Sequence, residues 1–235
     1  MKFGIIRFPG SNCDEDCHWA VTGVLKQNGI YLWHDDEDLK GCDCVILPGG
    51  FSYGDYLRTG GVARFSRIMK KVAGFADKGG LVMGICNGFQ VLCEAGLLPG
   101  AFLSNLSRRF ICKDVHVKVI NNKTTFTVNC EKEQILKIPV AHGEGRFYAD
   151  RKTLKNLHDN DQVILKYCSD KGNVSEEFNP NGSTDNIAGI CNKKRNIFGL
   201  MPHPERCCED ILGSSDGLYV FKSILNNRKH IMARK

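Results

Sequence analysis

The segment Leu81-Val82-Met83-Gly84-Ile85-Cys86-Asn87-Gly88-Phe89-Gln90-Val91-Leu92 sets a cysteine between two glycines, where an apolar strand pattern gives way to a helical one. Strand, tight turn and helix make the setting of a nucleophile elbow, here with sulfur in place of a hydroxyl. The turn is sharp and neighbouring backbone passes close by, which Gly84 and Gly88 permit. A thiol at a helix N-terminus meets the positive end of the dipole, which favours the thiolate. The Asn87 N–H lies where an oxyanion would develop on a carbonyl attacked by Cys86. Alone, the same G-x-C-x-G also fits a buried cysteine in an ordinary turn.

Two further segments supply what a thiolate would need. Leu47-Pro48-Gly49-Gly50-Phe51-Ser52-Tyr53-Gly54-Asp55 ends another strand, and its paired glycines free backbone amides to approach a substrate. The Gly50 amide and that of Asn87 can together form an oxyanion hole. The segment lacks the G-x-x-x-x-G-K-[ST] that cradles phosphate. Gly199-Leu200-Met201-Pro202-His203-Pro204-Glu205-Arg206 offers a base and a group to orient it, two residues apart on a segment predicted to be extended. Prolines 202 and 204 argue against a helix there. Of the seven histidines, only His203 has such a setting.

The elements that must position these residues alternate in the first half. Residues 2–8, 31–33, 44–47 and 81–85 read as short buried strands. Between them, Cys17, Ala20, Val21, Val24 and Leu25, and later Phe65, Ile68, Met69, Val72, Phe75 and Ala76, recur at helical spacing. Ser11 or Asn12 is placed to cap the first helix, with Asp14, Glu15 and Asp16 in its first turn. Strands separated by such helices predict an α/β fold, a mainly parallel doubly wound sheet covered by helices on both faces. Ligands in such sheets gather at the carboxyl ends of strands, which brings the loops after Leu47 and Ile85 to one edge. The second half changes character. Residues 110–120 and 124–130 alternate around Asn121-Asn122-Lys123 as a hairpin, and 138–140, 162–168, 187–191 and 197–201 add strands. A last helix starts near Asp216, and the polar stretch 169–184 reads as a solvated loop. No repeat or linker divides the chain, so one domain over residues 1–235 is expected.

Composition narrows the function classes. At 235 residues, 42% hydrophobic and 25% charged, the chain can bury a core without disulfides or metal. No apolar run approaches the roughly 18 residues of a membrane span, and no secretory cleavage pattern follows residue 7, so the cytoplasm is expected. The twelve cysteines do not form a repeated C-x-x-C zinc module. Except for Cys86 they are expected to be reduced, buried packing residues, the adjacent Cys207 and Cys208 included. The net charge of +6 is scattered in short groups without stacking aromatics, which argues against nucleic acid.

Together the three segments resemble the class I glutamine amidotransferases, whose pattern is a glycine-rich oxyanion loop, a cysteine elbow and a late H-x-E. Pro9-Gly10-Ser11-Asn12-Cys13-Asp14, Leu47 through Gly54-Asp55-Tyr56-Leu57-Arg58, Gly84 through Gln90, Ala141-His142-Gly143-Glu144-Gly145 and Met201 through Arg206 narrow it further. They resemble the family of separate glutaminase subunits of phosphoribosylformylglycinamidine synthase, over almost the whole chain. That resemblance implies a flavodoxin-like amidotransferase fold with a small antiparallel extension, and Cys86, His203 and Glu205 as the catalytic triad. It implies that Gln90, Gly143 and Glu144 hold the substrate glutamine. It implies no metal or cofactor in this chain, with ATP and Mg2+ bound by a large synthase partner (PurL) and a small bridging subunit (PurS) completing the complex. The competing readings are an amidotransferase serving another synthase, a docking subunit of the same fold without catalysis, and a cysteine hydrolase of another substrate.

Overall fold

The apolar runs bounded by glycine, proline and charge become strands, and the amphipathic stretches between them become helices. The computed structural model describes residues 1–232, with side chains as far as residue 226. In chain order the elements are β1 (Lys2–Arg7), α1 (Asp14–Trp19), β2 (Asn28–Trp33), β3 (Cys44–Leu47), α2 (Arg67–Asp77), β4 (Leu81–Ile85) and α3 (Asn87–Glu94). There follow β5 (Ala101–Leu103), β6 (Ile111–Val119), β7 (Ile135–His142), β8 (Arg146–Tyr148), α4 (Arg151–Asp159), β9 (Val163–Cys168), β10 (Ile187–Cys191), β11 (Ile197–Leu200) and α5 (Gly217–Met232). Residues 233–235 of the expected single domain lie outside the described residues. No described helix is long and apolar enough to cross a membrane.

The main sheet runs β2-β1-β3-β4-β11-β10-β9-β6-β7. Pairing is parallel from β2 through β11. It is antiparallel from β11 through β7. Strands β5 and β8 form a separate antiparallel pair. The mainly parallel, doubly wound sheet and its antiparallel extension are as the sequence predicts. The reason lies in β3, β4 and β11, whose residues are almost all buried: a strand covered on both faces must be apolar throughout, not alternately. Pro139 sits in β7, an edge strand, where its missing N–H costs no ladder bond.

Four local expectations fail. Residues 124–130 do not pair with β6, whose hairpin partner is β7. Instead Thr127 Oγ1 donates to Asn121 O at 2.8 Å and Thr124 Oγ1 accepts from Phe126 N–H at 3.2 Å, while Phe126 stacks on Phe198 at 5.2 Å. Hydroxyls offering the backbone local partners outcompete the ladder. Neither Ser11 nor Asn12 caps α1: Ser11 Oγ accepts from Phe8 N–H, Asn12 Oδ1 accepts from the Cys13 thiol, and Cys13 is the N-cap. Phe65 precedes α2 in a 3₁₀ turn and is exposed, so it leaves the apolar face carried by Ile68, Met69, Val72 and Ala76. Finally, 169–184 is not simply solvated. Asn181 and Ser183 are buried and tie that loop to β8 and its preceding turn.

Candidate active site

Cys86 follows β4 and caps α3 at φ 49°, ψ −106°, a strained conformation for a non-glycine residue. The backbone holds it there, because Cys86 N–H donates to Leu200 O of β11 at 2.8 Å. The flanking glycines are required by close approach: a Cβ on Gly88 would lie 1.9 Å from Leu47 O, and one on Gly84 2.5 Å from Leu92 Cδ1. Only a bare backbone lets α3 start this close to β3. The Asn87 N–H belongs to the first turn of α3, where no intrahelical acceptor exists.

The H-x-E segment is not extended. Pro204–Arg206 forms a 3₁₀ turn with proline at its first position, where the missing N–H is no loss. The turn folds Glu205 back onto His203, whose Nδ1 donates to Glu205 Oε1 at 2.6 Å with both residues buried. His203 N–H donates to Pro139 O of β7 at 2.8 Å. Burial would lower the imidazole, but the Glu205 charge and the Cys86 thiol outweigh it and raise His203 well above its usual range. Its Nε2 is buried without a hydrogen-bond partner among the described residues. The structure therefore brings His203 and Glu205 into contact beside Cys86, an arrangement in which a thiol could give its proton to an imidazole held by a carboxylate.

A cavity of about 190 Å³ opens on Cys86 and is lined by Gly50, Asp55, Gln90, Gly143 and Glu144 among others, so Gly50, Gln90, Gly143 and Glu144 border it as expected, while Asn87 does not line it. Gln90 spans the floor: its Oε1 accepts from Asn87 Nδ2 at 2.9 Å and its Nε2 donates to Glu144 O at 2.7 Å. Both ends of that carboxamide are thus engaged in holding the cavity wall. His142 lies under the same wall. Burial, then the nearby His203, lowers its imidazole to about 4, so it is neutral at ordinary pH. Its Nδ1 donates to Asn105 Oδ1 at 3.1 Å and its Nε2 accepts from Asn181 Nδ2 at 3.4 Å, while Asn105 Oδ1 also accepts from Gly145 N–H at 2.9 Å. This network fixes the turn that carries Gly143 and Glu144.

Cys13 departs from the bland reading given to every cysteine but Cys86. Its Sγ, a His203 ring nitrogen and a Glu205 oxygen lie within 4.8 Å of one another. Arg206 Nη2 donates to that sulfur at 3.0 Å and Arg206 Nε donates to Asp16 Oδ2 at 3.2 Å. The donor types would suit zinc, yet a guanidinium fixed on the thiol disfavours a cation. Asp16, Arg206 and Cys13 form a hydrogen-bonded chain that ends beside the imidazole. Cys207 and Cys208 are ordinary by contrast, buried with thiols on the Pro204 carbonyl. All twelve cysteines are free. Cys13 had a sequence signal in its Pro9–Asp14 segment, whereas Asn105 and Asn181 had none, since their bonds to His142 and Gly145 span 36 or more residues.

Such a constellation can open an amide by thiolate attack, with an oxyanion hole of backbone N–H groups and a histidine that carries the proton. Comparison with known proteins points the same way. Residues 1–216 match the CobB/CobQ-like glutamine amidotransferase domain family. Phosphoribosylformylglycinamidine synthase subunit PurQ of Moorella thermoacetica is 58% identical over 226 residues, covering 96% of each chain. The subunit of the same name from Salinibacter ruber is 55% identical over 226 residues, again covering 96% of each. A chain in the structure of PurLQS from Thermotoga maritima superposes with a TM-score of 0.85 at 44% identity, covering 96% of this chain and 98% of that one. The chain belongs to the PurQ family of CobB/CobQ-like glutamine amidotransferases.

Proposed function

We propose that this chain is the glutaminase subunit of a phosphoribosylformylglycinamidine synthase. It hydrolyses glutamine to glutamate and ammonia. The ammonia passes to an ATP-dependent synthase subunit, PurL, which converts formylglycinamide ribonucleotide to formylglycinamidine ribonucleotide in purine synthesis. The small subunit PurS bridges the two, and the ATP and Mg2+ belong to PurL. The whole chain acts as one amidotransferase domain. The observation that carries the reading is the buried His203–Glu205 pair, closed at 2.6 Å beside a cysteine on a strained elbow.

In this mechanism Glu205 holds His203 by Nδ1, so Nε2 faces the thiol and takes its proton. The Cys86 thiolate attacks the side-chain amide carbon of glutamine. The N–H groups of Gly50 and Asn87 stabilise the tetrahedral oxyanion, a contribution of about 3–4 kcal/mol per donor. His203 returns the proton to the leaving ammonia, and the C–N bond breaks to give a glutamyl thioester. Water, deprotonated by His203, then hydrolyses the thioester and regenerates Cys86. Gln90, Gly143 and Glu144 shape the cavity in which glutamine is held.

The test is glutamate release by wild type and Cys86→Ser, each with and without the synthase and bridging subunits. Ammonia made without an acceptor is lost, so wild type is expected to be slow alone and stimulated in the complex, and the variant inactive throughout. Glutamine use that survives the substitution would remove Cys86 from its role.

A further inference from the structure

The segment Pro9–Asp14 marks the family in sequence, yet none of its residues lines the cavity on Cys86. It is zipped instead to the glycine-rich loop after β3. Asn12 N–H and Cys13 N–H donate to Gly49 O at 3.4 and 3.2 Å, Phe51 N–H donates to Gly10 O at 2.9 Å, and Tyr53 N–H donates to Pro9 O at 2.6 Å. Ser11 and Gly50 stand opposite each other as an antiparallel bridge. The bonds run on either side of that pair, which leaves the Gly50 N–H, the oxyanion donor, out of the pairing. The two backbones come too close for side chains. At φ 86° a Cβ on Gly10 would lie 2.3 Å from Phe51 O, and at φ 144° one on Gly50 would lie 2.8 Å from Asn12 N.

The same segment ends at the base. A Cβ on Gly49 would lie 2.7 Å from His203 Cε1 and 3.0 Å from Cys13 Sγ, so loop, thiol and imidazole meet at one point. Cys13 is held from two sides: its S–H donates to Asn12 Oδ1 at 3.2 Å and its sulfur accepts from Arg206 Nη2 at 3.0 Å. Burial raises this thiol above its ordinary range, so it stays neutral and offers the imidazole sulfur lone pairs rather than a full charge. We propose that Pro9–Cys13 is the positioning loop of the reaction: its backbone holds the Gly50 oxyanion donor and Cys13 holds the His203 imidazole, so one loop sets donor and base relative to each other. This role rests on the glutaminase reading and deepens it. The titratable and charged groups facing His203 are Glu205, Cys86, Cys13 and His142, with Arg206 and Asp16 reaching it through Cys13. Of the four that face it, Cys13 alone belongs to the loop, so its removal is read against a fixed background.

The experiment sets glutamine turnover against alkylation of Cys86 by iodoacetamide, both in the assembled complex, the second followed at the Cys86 peptide by mass spectrometry. The thiolate displaces iodide directly, so alkylation needs the base but no oxyanion hole, whereas hydrolysis needs both. Gly10→Ala pushes the Phe51 backbone away by about 1 Å and is expected to lower kcat for glutamine about 100-fold, with KM and alkylation little changed. Ser11→Ala, which removes the acceptor for Phe8 N–H, keeps that arm answerable if Gly10→Ala does not fold, with the same split at about tenfold. Cys13→Ala is expected to slow alkylation at pH 7 about tenfold and to move its pH profile upward, because an imidazole with less support for its proton leaves less thiolate. Cys13→Ser, which keeps both hydrogen bonds, should return the profile towards wild type. Equal loss of alkylation and turnover in the Gly10 and Ser11 variants, or a profile that Cys13→Ala does not move, would overturn the positioning role. Glutamate release that survives Cys86→Ser sinks the glutaminase reading and this role with it. Release that depends on Cys86, with no split in the loop variants, sinks the role of the loop alone.

Discussion

Substituting Gly88 by alanine tests the elbow at its tightest point. The added Cβ would stand 1.9 Å from Leu47 O and 2.6 Å from Leu47 C. That carbonyl belongs to β3, held between β1 and β4, so it cannot give way like the end of a flexible side chain. Ordinary contact begins near 3.4 Å, and the first turn of α3 must therefore retreat by about 1.5 Å. Cys86 immediately precedes that turn and is already strained, so it moves with it. Overpacking of this kind costs about 1–3 kcal/mol of stability. A displacement of about 1 Å at a reacting group costs on the order of 100-fold in rate. Urea unfolding and glutamate release in the complex measure the two effects. Gly74, inside α2 with nothing within 4 Å of an added Cβ, is the control: Gly74→Ala is expected to stabilise by about 0.5–1 kcal/mol with turnover unchanged. If Gly88→Ala unfolds and turns over as wild type does, the close approach of α3 to β3 is not what sets the nucleophile.

Glu205→Gln removes the charge that holds and raises His203, and kcat is expected to fall about 1,000-fold or more with KM for glutamine little changed. Steady-state kinetics decide it, and an unchanged kcat would refute the orienting role. Cys13→Ala removes the sulfur between Arg206 and His203 and is expected to lower kcat about tenfold. Cys13→Ser, which keeps a group for Arg206 and Asn12, should recover part of it, and equal kcat in both variants would show simple packing. At pH 7.5, Asp55→Asn is expected to raise stability by about 1 kcal/mol in urea unfolding, discounted for a half-buried group. The folded pKa of Asp55 is raised, so ionisation costs stability above about 6 and the penalty fades as pH falls through that value. The advantage of the variant should therefore vanish towards pH 4.

The sequence by itself determined most strands of the main sheet and the segments expected to carry the chemistry. β3, β4 and β11 were legible because strands buried on both faces must be apolar throughout. Cys86 was legible because an elbow needs glycines at fixed offsets, and His203 with Glu205 because the orienting contact spans only two residues. Such signals are local, and local sterics and hydrogen bonds are written in neighbouring residues. What only the tertiary structure decided was which distant side chains share a space. Cys13 meets Arg206 across 193 positions, and Asp55 meets the wall carrying Glu144 only where two loops converge on Cys86. The segment 124–130 alternated like a strand yet turned, because Phe126 found its partner in Phe198. The His142 network joins residues 105, 142 and 181. No periodicity or spacing encodes these meetings, since they follow from how nine strands are ordered in the sheet, and that order is fixed by packing rather than by sequence neighbours.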